Sequence, residues 1–268
     1  MPLLENRGAR IYWDEQGQGA PLLLIMGLGY PSHMWYRTRP VLAARYRTLA
    51  FDNRGTGRSD LPPGPYSMEL MASDAGAVLD AAGVARAHIY GISMGGMIAQ
   101  EFALRYPGRV QSLILGCTAA GVPEAERAEP EARDLLMGRH KMDAEQAAQA
   151  AIPFIYHSST SRQRIEEDLA VRRPWFPRPE AYLAQLQGIL AWEAYSRLPQ
   201  VQAPTLVLHG DSDRLVPTRN GRLIAARIPG ARLVLLKNAG HIYSTDQPEA
   251  AQKAVLDFLA EQTPVAGA

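Results

Sequence analysis

The sequence of 268 residues is poor in cysteine and in lysine. Cys117 is the only cysteine, so no disulfide can form within the chain. Its place at the end of an apolar run predicts a buried, inert thiol rather than a catalytic nucleophile. Only three of the 28 basic residues are lysines, so 25 are arginines. This excess indicates either surface ion-pair networks that suit high temperature or a bias in codon usage.

Long apolar runs and an excess of charge are also missing. The longest apolar runs have about six residues, far fewer than the roughly 20 that cross a bilayer. The formal net charge of +1 indicates no basic face for nucleic acid. Residues 1–5 lack the basic segment followed by an apolar one that marks a signal peptide. We therefore expect a soluble, cytoplasmic protein that acts on a small molecule.

Short apolar runs alternate along the chain with segments of helical periodicity. The predicted strands are 10–13, 21–26, 47–51, 87–90, 113–115, 205–208 and 233–236. The predicted helices are 67–82, 97–106, 218–228 and 248–262. This alternation predicts an α/β fold, a mostly parallel central sheet with helices on both faces. A ligand site in such a sheet lies beyond the carboxyl ends of the strands.

The alternation is interrupted between residues 119 and 199 by a charged, proline-split stretch of helical pattern. We interpret it as an inserted helical cap over the ligand edge, with residues 1–118 and 200–268 forming the core. Trp175, Phe176 and Trp192 lie in this stretch and are candidates for an apolar substrate pocket. The alternative is that these rings only hold the cap to the core.

The segment 91–95 reads Gly-Ile-Ser-Met-Gly and lies between a predicted strand and a predicted helix. A serine on such a sharp turn has a strained backbone and a hydroxyl that projects from the sheet edge. The glycines fit because neighbouring backbones approach too closely there for a Cβ atom. Ser93 is thus a candidate nucleophile, provided that a base and an orienting acid lie elsewhere in the chain.

Two later segments supply candidates for the acid and the base. Asp211 and Asp213 follow a predicted strand, and either could reach a histidine at the sheet edge, or one of them caps the next helix. His241 follows Gly240 in a loop after the last predicted strand. The order serine, aspartate, histidine is the one expected for an α/β hydrolase.

Acyl transfer at Ser93 also needs donors for a developing oxyanion. We predict the backbone N–H of Met94, which begins the helix, and that of Leu28 in the Gly-Leu-Gly loop after the second strand. That loop does not continue as a dinucleotide fingerprint, since Pro31 and Ser32 follow it. No pair of histidines has zinc-ligand spacing with a matching third ligand, so no metal site is expected.

Taken together, these segments resemble the α/β-hydrolase superfamily over about residues 5–262. The branch is that of the small capped serine esterases, enol-lactonases and cofactor-free haloperoxidases. The matching segments are 52–59, 91–96, 210–217 and 240–241. The resemblance implies that Asp213, the second aspartate of its loop, is the acid. A departure is Met26 before Gly27, where many relatives have histidine; a backbone donor at Leu28 survives this change.

The resemblance implies cleavage of carboxylic esters through an acyl-enzyme, without a cofactor. In this hypothesis Ser93 attacks the carbonyl, His241 transfers the proton and Asp213 orients the imidazole. The serine also argues against the related dehalogenases and epoxide hydrolases, which use an aspartate there. Lactone hydrolysis, carbon–carbon bond hydrolysis and perhydrolysis, which appears as haloperoxidase activity, are alternatives on the same scaffold. An alternative of another class is a non-catalytic sensor that binds a ligand in the capped pocket.

Overall fold

A computed structural model describes residues 2–262, in which an eight-stranded sheet organises the chain. The strands are β1 (Leu3–Asn6), β2 (Ala9–Gln16), β3 (Pro21–Ile25), β4 (Arg47–Phe51), β5 (Ala87–Ile92), β6 (Val110–Gly116), β7 (Thr205–Gly210) and β8 (Arg232–Leu236). Their order is β1-β2-β4-β3-β5-β6-β7-β8. The β1–β2 and β2–β4 pairs are antiparallel, and every other pair is parallel. The predicted mostly parallel sheet is confirmed.

The first strand, β1, was not predicted, and β2 extends beyond the predicted 10–13. β1 is the edge strand and β2 lies next to it, and both have polar positions: in β1 the side chains alternate between exposed and half-buried, and β2 ends in exposed Glu15 and Gln16. A strand that buries little apolar surface carries little of the periodic signal from which strands are predicted.

Ten α-helices lie in the described residues. They are α1 (Arg39–Ala43), α2 (Met68–Ala81), α3 (Met94–Arg105), α4 (Pro130–Gly138), α5 (Ala144–Ile155), α6 (Arg162–Arg172), α7 (Pro179–Leu190), α8 (Arg219–Arg227), α9 (Tyr243–Asp246) and α10 (Pro248–Gln262). At the start of α2 the Ser67 hydroxyl accepts the N–H of Leu70 at 3.1 Å, which is a typical helix N-cap. Helix α3 begins three residues earlier than predicted, because Gly95 and Gly96 weaken the helical pattern of its first turn.

The sheet has a separate apolar layer on each face. Leu23 and Ile25 of β3 point into a layer with residues of α2 and α3. Leu22 and Leu24, which alternate with them, point into a second layer with residues of α10. Because the side chains of β3 are buried on both faces of the sheet, its sequence is a continuous apolar run.

Helices α4 to α7 all fall within residues 119–199, which we call the cap segment. Its two ends meet: Gly121 and Glu193 form an isolated β-bridge, and Ala194 N–H donates to Ala120 C=O at 2.9 Å. This closed base suits an insertion, and we propose that the cap segment covers the carboxyl edge of the sheet. Within residues 2–262 no helix is both long enough and apolar enough to cross a bilayer.

Candidate active site

Ser93 lies in the turn between β5 and α3 with φ of 55° and ψ of −124°. A positive φ is rare outside glycine and is retained only where the surrounding structure enforces it. Here Ser93 N–H donates to Gly116 C=O at 2.8 Å, and the Thr118 hydroxyl donates to Ser93 C=O at 2.7 Å. Strand β6 and the residues after it therefore hold the strained turn from one side.

Three glycines surround the turn because no Cβ atom fits there. A Cβ on Gly91 would clash with the carbonyl of Gly95, and a Cβ on Gly95 would clash with the carbonyl of Ile25. A Cβ on Gly27 would lie 3.1 Å from Ser93 Cβ and 3.5 Å from its Oγ. The loop after β3 therefore passes directly against the serine side chain.

The structure brings His241 to Asp213, one of the two aspartates that the sequence offered. His241 Nδ1 lies 2.8 Å from Asp213 Oδ2, and the carboxylate is fully buried. The other oxygen, Oδ1, accepts the N–H groups of Leu215 at 2.9 Å and Val216 at 2.8 Å. The exposed Asp211 instead accepts the hydroxyl of Ser212 at 2.8 Å.

Burial and hydrogen bonding have opposite effects on the pKa of Asp213. Burial raises it, but His241 and His209 lower it more, so the pKa lies well below its usual range. The group is therefore a carboxylate throughout the neutral pH range. A permanent carboxylate can both orient a neutral imidazole and stabilise its protonated form.

A second histidine, His209, also faces Asp213. Its Nε2 lies 2.8 Å from Val216 C=O and 3.3 Å from Asp213 Oδ2. His209 is buried at the end of β7, and its contact with Asp213 was not predicted. In the sequence, the available signal for this contact was the spacing of four residues between His209 and Asp213.

Cys117 is buried near Asp213. Burial, and to a smaller extent the charge of Asp213, raises the pKa of its thiol well above its usual range. The ligand atoms of Cys117, His209 and Asp213 lie within 4.8 Å of one another. A metal ion there would compete with the donors that Asp213 already has, since both of its oxygens accept hydrogen bonds. We therefore assign this cluster to the hydrogen-bond network around the acid.

The loop that carries His241 is held at two points. Gly240 N–H donates to Asp246 Oδ2 at 2.6 Å, and Ile242 N–H donates to the carbonyl of Ile155, the last residue of α5, at 2.8 Å. Asp246 also accepts the N–H of His157 at 3.1 Å. Burial raises the pKa of Asp246 above its usual value in spite of these hydrogen bonds.

The two predicted oxyanion donors, Leu28 and Met94, both line the cavity that Ser93 lines. Neither Leu28 N–H nor Met94 N–H donates to another protein group within residues 2–262. The next N–H in the loop, that of Gly29, donates to Gln185 Oε1 at 2.8 Å, while Gln185 Nε2 donates to Arg54 C=O at 2.9 Å. Gln185 lies on α7 and was not among the predicted site residues.

Ser93, His241, Leu28 and Met94 all line one cavity, with about 1180 Å³ of empty space that includes its opening to solvent. Most of the remaining wall is aliphatic. Core and cap segment both contribute to it, through Met34, Met97, Leu135, Leu136, Leu186 and Ile189. A mostly apolar cavity with a few convergent polar groups is typical of a small-molecule site.

Comparison with known proteins identifies the family. A family model described as "alpha/beta hydrolase fold" matches residues 20–248. The chain belongs to the α/β-hydrolase family.

Three relatives show which branch of the α/β hydrolases this chain resembles. The "Putative carbamate hydrolase RutD" of Azorhizobium caulinodans is 33% identical, over 97% of this chain and 99% of that protein. The crystal structure of the enol-lactonase from Burkholderia xenovorans LB400 superposes with a TM-score of 0.87 at 28% identity, covering 97% of this chain and 100% of that one. The "Putative non-heme bromoperoxidase BpoC" of Mycobacterium tuberculosis H37Rv superposes with a TM-score of 0.82 at 26% identity, covering 94% and 96%. The predicted superfamily and branch are confirmed.

The three aromatic residues predicted for the pocket of this α/β hydrolase do not line the cavity at Ser93. Trp175 stacks on His33 with ring centroids 4.8 Å apart, and Phe176 lines a second, smaller cavity. Trp192 is buried in the core and donates its indole N–H to Glu101 Oε2 at 2.8 Å. Trp192 thus has the alternative role of holding the cap segment to the core, because it connects the cap segment to α3.

Proposed function

We propose that this α/β hydrolase is a cytoplasmic enzyme that cleaves carboxylic esters through an acyl-enzyme, without a cofactor. The observation that carries the proposal is the 2.8 Å contact between His241 and the buried Asp213, in a cavity that the strained Ser93 also lines. A nucleophile, a base and an orienting acid are the parts that serine acyl transfer requires.

In the proposed reaction Ser93 Oγ attacks the ester carbonyl carbon while His241 Nε2 accepts the hydroxyl proton. The tetrahedral intermediate collapses, and the same proton passes to the departing alcohol. A water molecule, activated by His241, then attacks the acyl-serine and releases the acid. Asp213 keeps the proton on Nδ1 of the neutral imidazole, so that Nε2 is free to act as the base.

The oxyanion of each intermediate would be bound by the N–H groups of Leu28 and Met94. Met94 is the first residue of α3, so the partial positive charge of the helix N-terminus adds to its donor. Their freedom from protein partners supports this role, because a donor already in use could not follow the developing charge. Loss of one such donor costs about 3–4 kcal/mol of barrier.

Carbamate hydrolysis is a second candidate, and lactone hydrolysis a third. Similarity to the RutD protein favours carbamate hydrolysis, and similarity to the enol-lactonase favours lactone hydrolysis. Both reactions use the same nucleophile, base and oxyanion donors, since each begins with attack on an acyl carbon. Perhydrolysis has support from the bromoperoxidase relative, whereas carbon–carbon bond hydrolysis remains a prediction from the scaffold alone.

A fluorophosphonate probe tests the nucleophile directly. We expect it to label wild type and Ser244→Ala but not Ser93→Ala; Ser244 is the matched control because it is another serine in the cavity wall. Labelling of Ser93→Ala at another residue, or robust esterase activity in that variant, would refute the assignment.

A substrate panel tests the reaction. p-Nitrophenyl esters, aryl carbamates, lactones and vinylogous diketones should rank by kcat/KM, and we expect esters to lead. If no member is turned over while ligands still raise the melting temperature, the alternative of a ligand sensor is favoured.

A further inference from the structure

Arg139 is the only arginine or lysine among the residues that line the cavity. It lies in the turn after α4 and is 6% exposed. Its Nε and Nη2 atoms have no hydrogen-bond partner, and no carboxylate of residues 2–262 lies within 4.0 Å of its guanidinium. A buried cation without a counterion is costly, so its presence in a binding cavity calls for a physical reason.

Aromatic rings surround the Arg139 guanidinium. Its Cζ lies 5.7 Å from the ring centroid of Tyr30, 5.3 Å from that of Phe176 and 5.5 Å from that of Tyr182. These rings supply cation–π attraction, which offsets part of the lost hydration. A ring face does not satisfy an N–H directed along the guanidinium plane, so the hydrogen-bonding capacity at Nε and Nη2 remains unused.

A second buried arginine, Arg172, lies against the same tyrosine ring as Arg139. Arg172, which is also buried, donates to the Tyr30 hydroxyl. Burial raises the pKa of Tyr30, but Arg172 and Arg139 lower it more, so its pKa lies below the usual value. The buried carboxylate that acts on Arg172 is Asp168, whose two oxygens already accept hydrogen bonds from four side chains.

Elsewhere in the molecule the same edge of arginine binds carboxylates. Three arginines each donate from Nε and Nη2 to the two oxygens of one acidic side chain, at 2.5–3.0 Å. The pairs are Arg10–Asp60, Arg54–Asp74 and Arg214–Glu129. This two-point geometry is specific for planar, bidentate acceptors. The edge formed by Nε and Nη2 is the one left unpaired in Arg139.

We propose that Arg139 binds a carboxylate of the substrate. The proposal rests on the ester hydrolase proposed above and specifies it: the substrates are esters whose acyl part or alcohol part carries a carboxylate. Both nitrogens are covered by neighbouring atoms in the structure, so binding requires the guanidinium to turn its unpaired edge toward the cavity. The aliphatic wall then holds the chain between this carboxylate and the ester.

Two pairs of esters test the proposal and separate the two positions of the carboxylate. Mono-p-nitrophenyl glutarate carries it in the acyl part, and p-nitrophenyl methyl glutarate is its neutral match. 4-Acetoxybenzoate carries it in the leaving group, and methyl 4-acetoxybenzoate is its neutral match. The variants are Arg139→Met, which removes the charge, and Arg139→Lys, which keeps it without the two-point edge. Arg162→Gln, on an exposed arginine of α6, is the control for net charge.

In at least one pair we expect Arg139→Met to lower kcat/KM about 30-fold for the carboxylate ester and less than threefold for the neutral one. Arg139→Lys should lie between wild type and Arg139→Met, and Arg162→Gln should change either ester less than twofold. Equal losses on both members of each pair would overturn the proposal, because they would indicate a purely structural cation. So would a wild type that cleaves only the neutral esters.

Calorimetric titration with glutarate and with 4-hydroxybenzoate keeps the test independent of turnover. Wild type should bind one of them at least tenfold more tightly than either Arg139 variant does. If wild type cleaves no ester yet shows this binding, the proposed function fails and the carboxylate site stands. If Arg139→Met does not fold, Arg139→Lys and the wild-type titration decide, and absence of binding to wild type overturns the site.

Discussion

Gln185 offers a test of how the proposed oxyanion loop is held. This fully buried side chain on α7 bonds at both ends: Oε1 accepts Gly29 N–H at 2.8 Å and Nε2 donates to Arg54 C=O at 2.9 Å. Methionine has a similar length and volume but neither hydrogen-bonding group. We predict that Gln185→Met lowers both the free energy of unfolding and kcat.

The magnitude follows from the groups that the substitution leaves behind. Two backbone groups, Gly29 N–H and Arg54 C=O, lose their buried partners at about 1–3 kcal/mol each, so we expect a loss of about 2–6 kcal/mol of stability. Complete loss of one oxyanion donor lowers kcat by about 10²–10³. In the variant, Tyr30 N–H still donates to Gly27 C=O at 3.2 Å, and this turn restrains Leu28. We therefore expect a smaller fall in kcat, of about 10- to 30-fold.

The measurements are steady-state kinetics on p-nitrophenyl butyrate and urea unfolding. The KM should change less than threefold, because the oxyanion forms only in the transition state. The matched control is Asn220→Leu on α8: this buried amide also bonds at both ends, to the N–H and the C=O of Glu126 and to Pro217 C=O, but makes no hydrogen bond to the Leu28 loop. It should lose stability yet keep kcat within about twofold. Equal falls in kcat for both variants, or an unchanged kcat in Gln185→Met, would refute the reasoning.

Three further predictions concern the nucleophile, the acid and a buried histidine. Asp213→Asn should keep the fold, measured by circular dichroism, but lower kcat by about 10⁴, because the amide favours the wrong imidazole tautomer; activity near wild type would contradict the assigned role. Gly27→Ala should lower kcat about tenfold, because its Cβ would lie 3.1 Å from Ser93 Cβ, whereas Gly108→Ala, with no atom within 4 Å of the added Cβ, should not. Burial lowers the pKa of His88 from 6.5 to about 4, so its contribution to stability is complete above pH 6.5 and is lost as the pH falls toward 4. Urea unfolding between pH 7 and 4 should show a loss of about 3 kcal/mol in wild type that His88→Gln lacks, and equal slopes would refute the cause.

The parts of the fold that the sequence predicts are those with a local signal. Apolar runs predict the buried parallel strands, and the glycines around Ser93 predict the nucleophile turn because close backbone approach excludes every larger residue. The choice between Asp211 and Asp213 had no local signal and came from the family resemblance. Geometry supplies its physical reason, since Asp213 is buried against His241 whereas Asp211 faces solvent.

Other site residues were missed because their role depends on contacts between distant segments. Gln185 meets Gly29 across 156 residues, and a single glutamine in a charged stretch of helical pattern does not differ from a surface residue in the sequence. Arg139 was one arginine among 25, and only burial without a counterion distinguishes it. The aromatic residues of the cap segment were candidates for an apolar pocket, but the wall of the cavity consists mainly of leucine, isoleucine and methionine.

The contacts of the cap segment indicate that it does more than cover the cavity. Gln185 of α7 holds the loop of one proposed oxyanion donor, and the carbonyl of Ile155 in α5 accepts the N–H of Ile242, next to His241. A cover that only selected substrates would need no bonds to these two loops. Because the bonds reach the loops of both the proposed donor Leu28 and the proposed base His241, a shift of α5 or α7 would displace groups on which the proposed mechanism depends. We therefore infer that the cap segment sets the turnover of even the shortest ester, as well as the choice among longer ones.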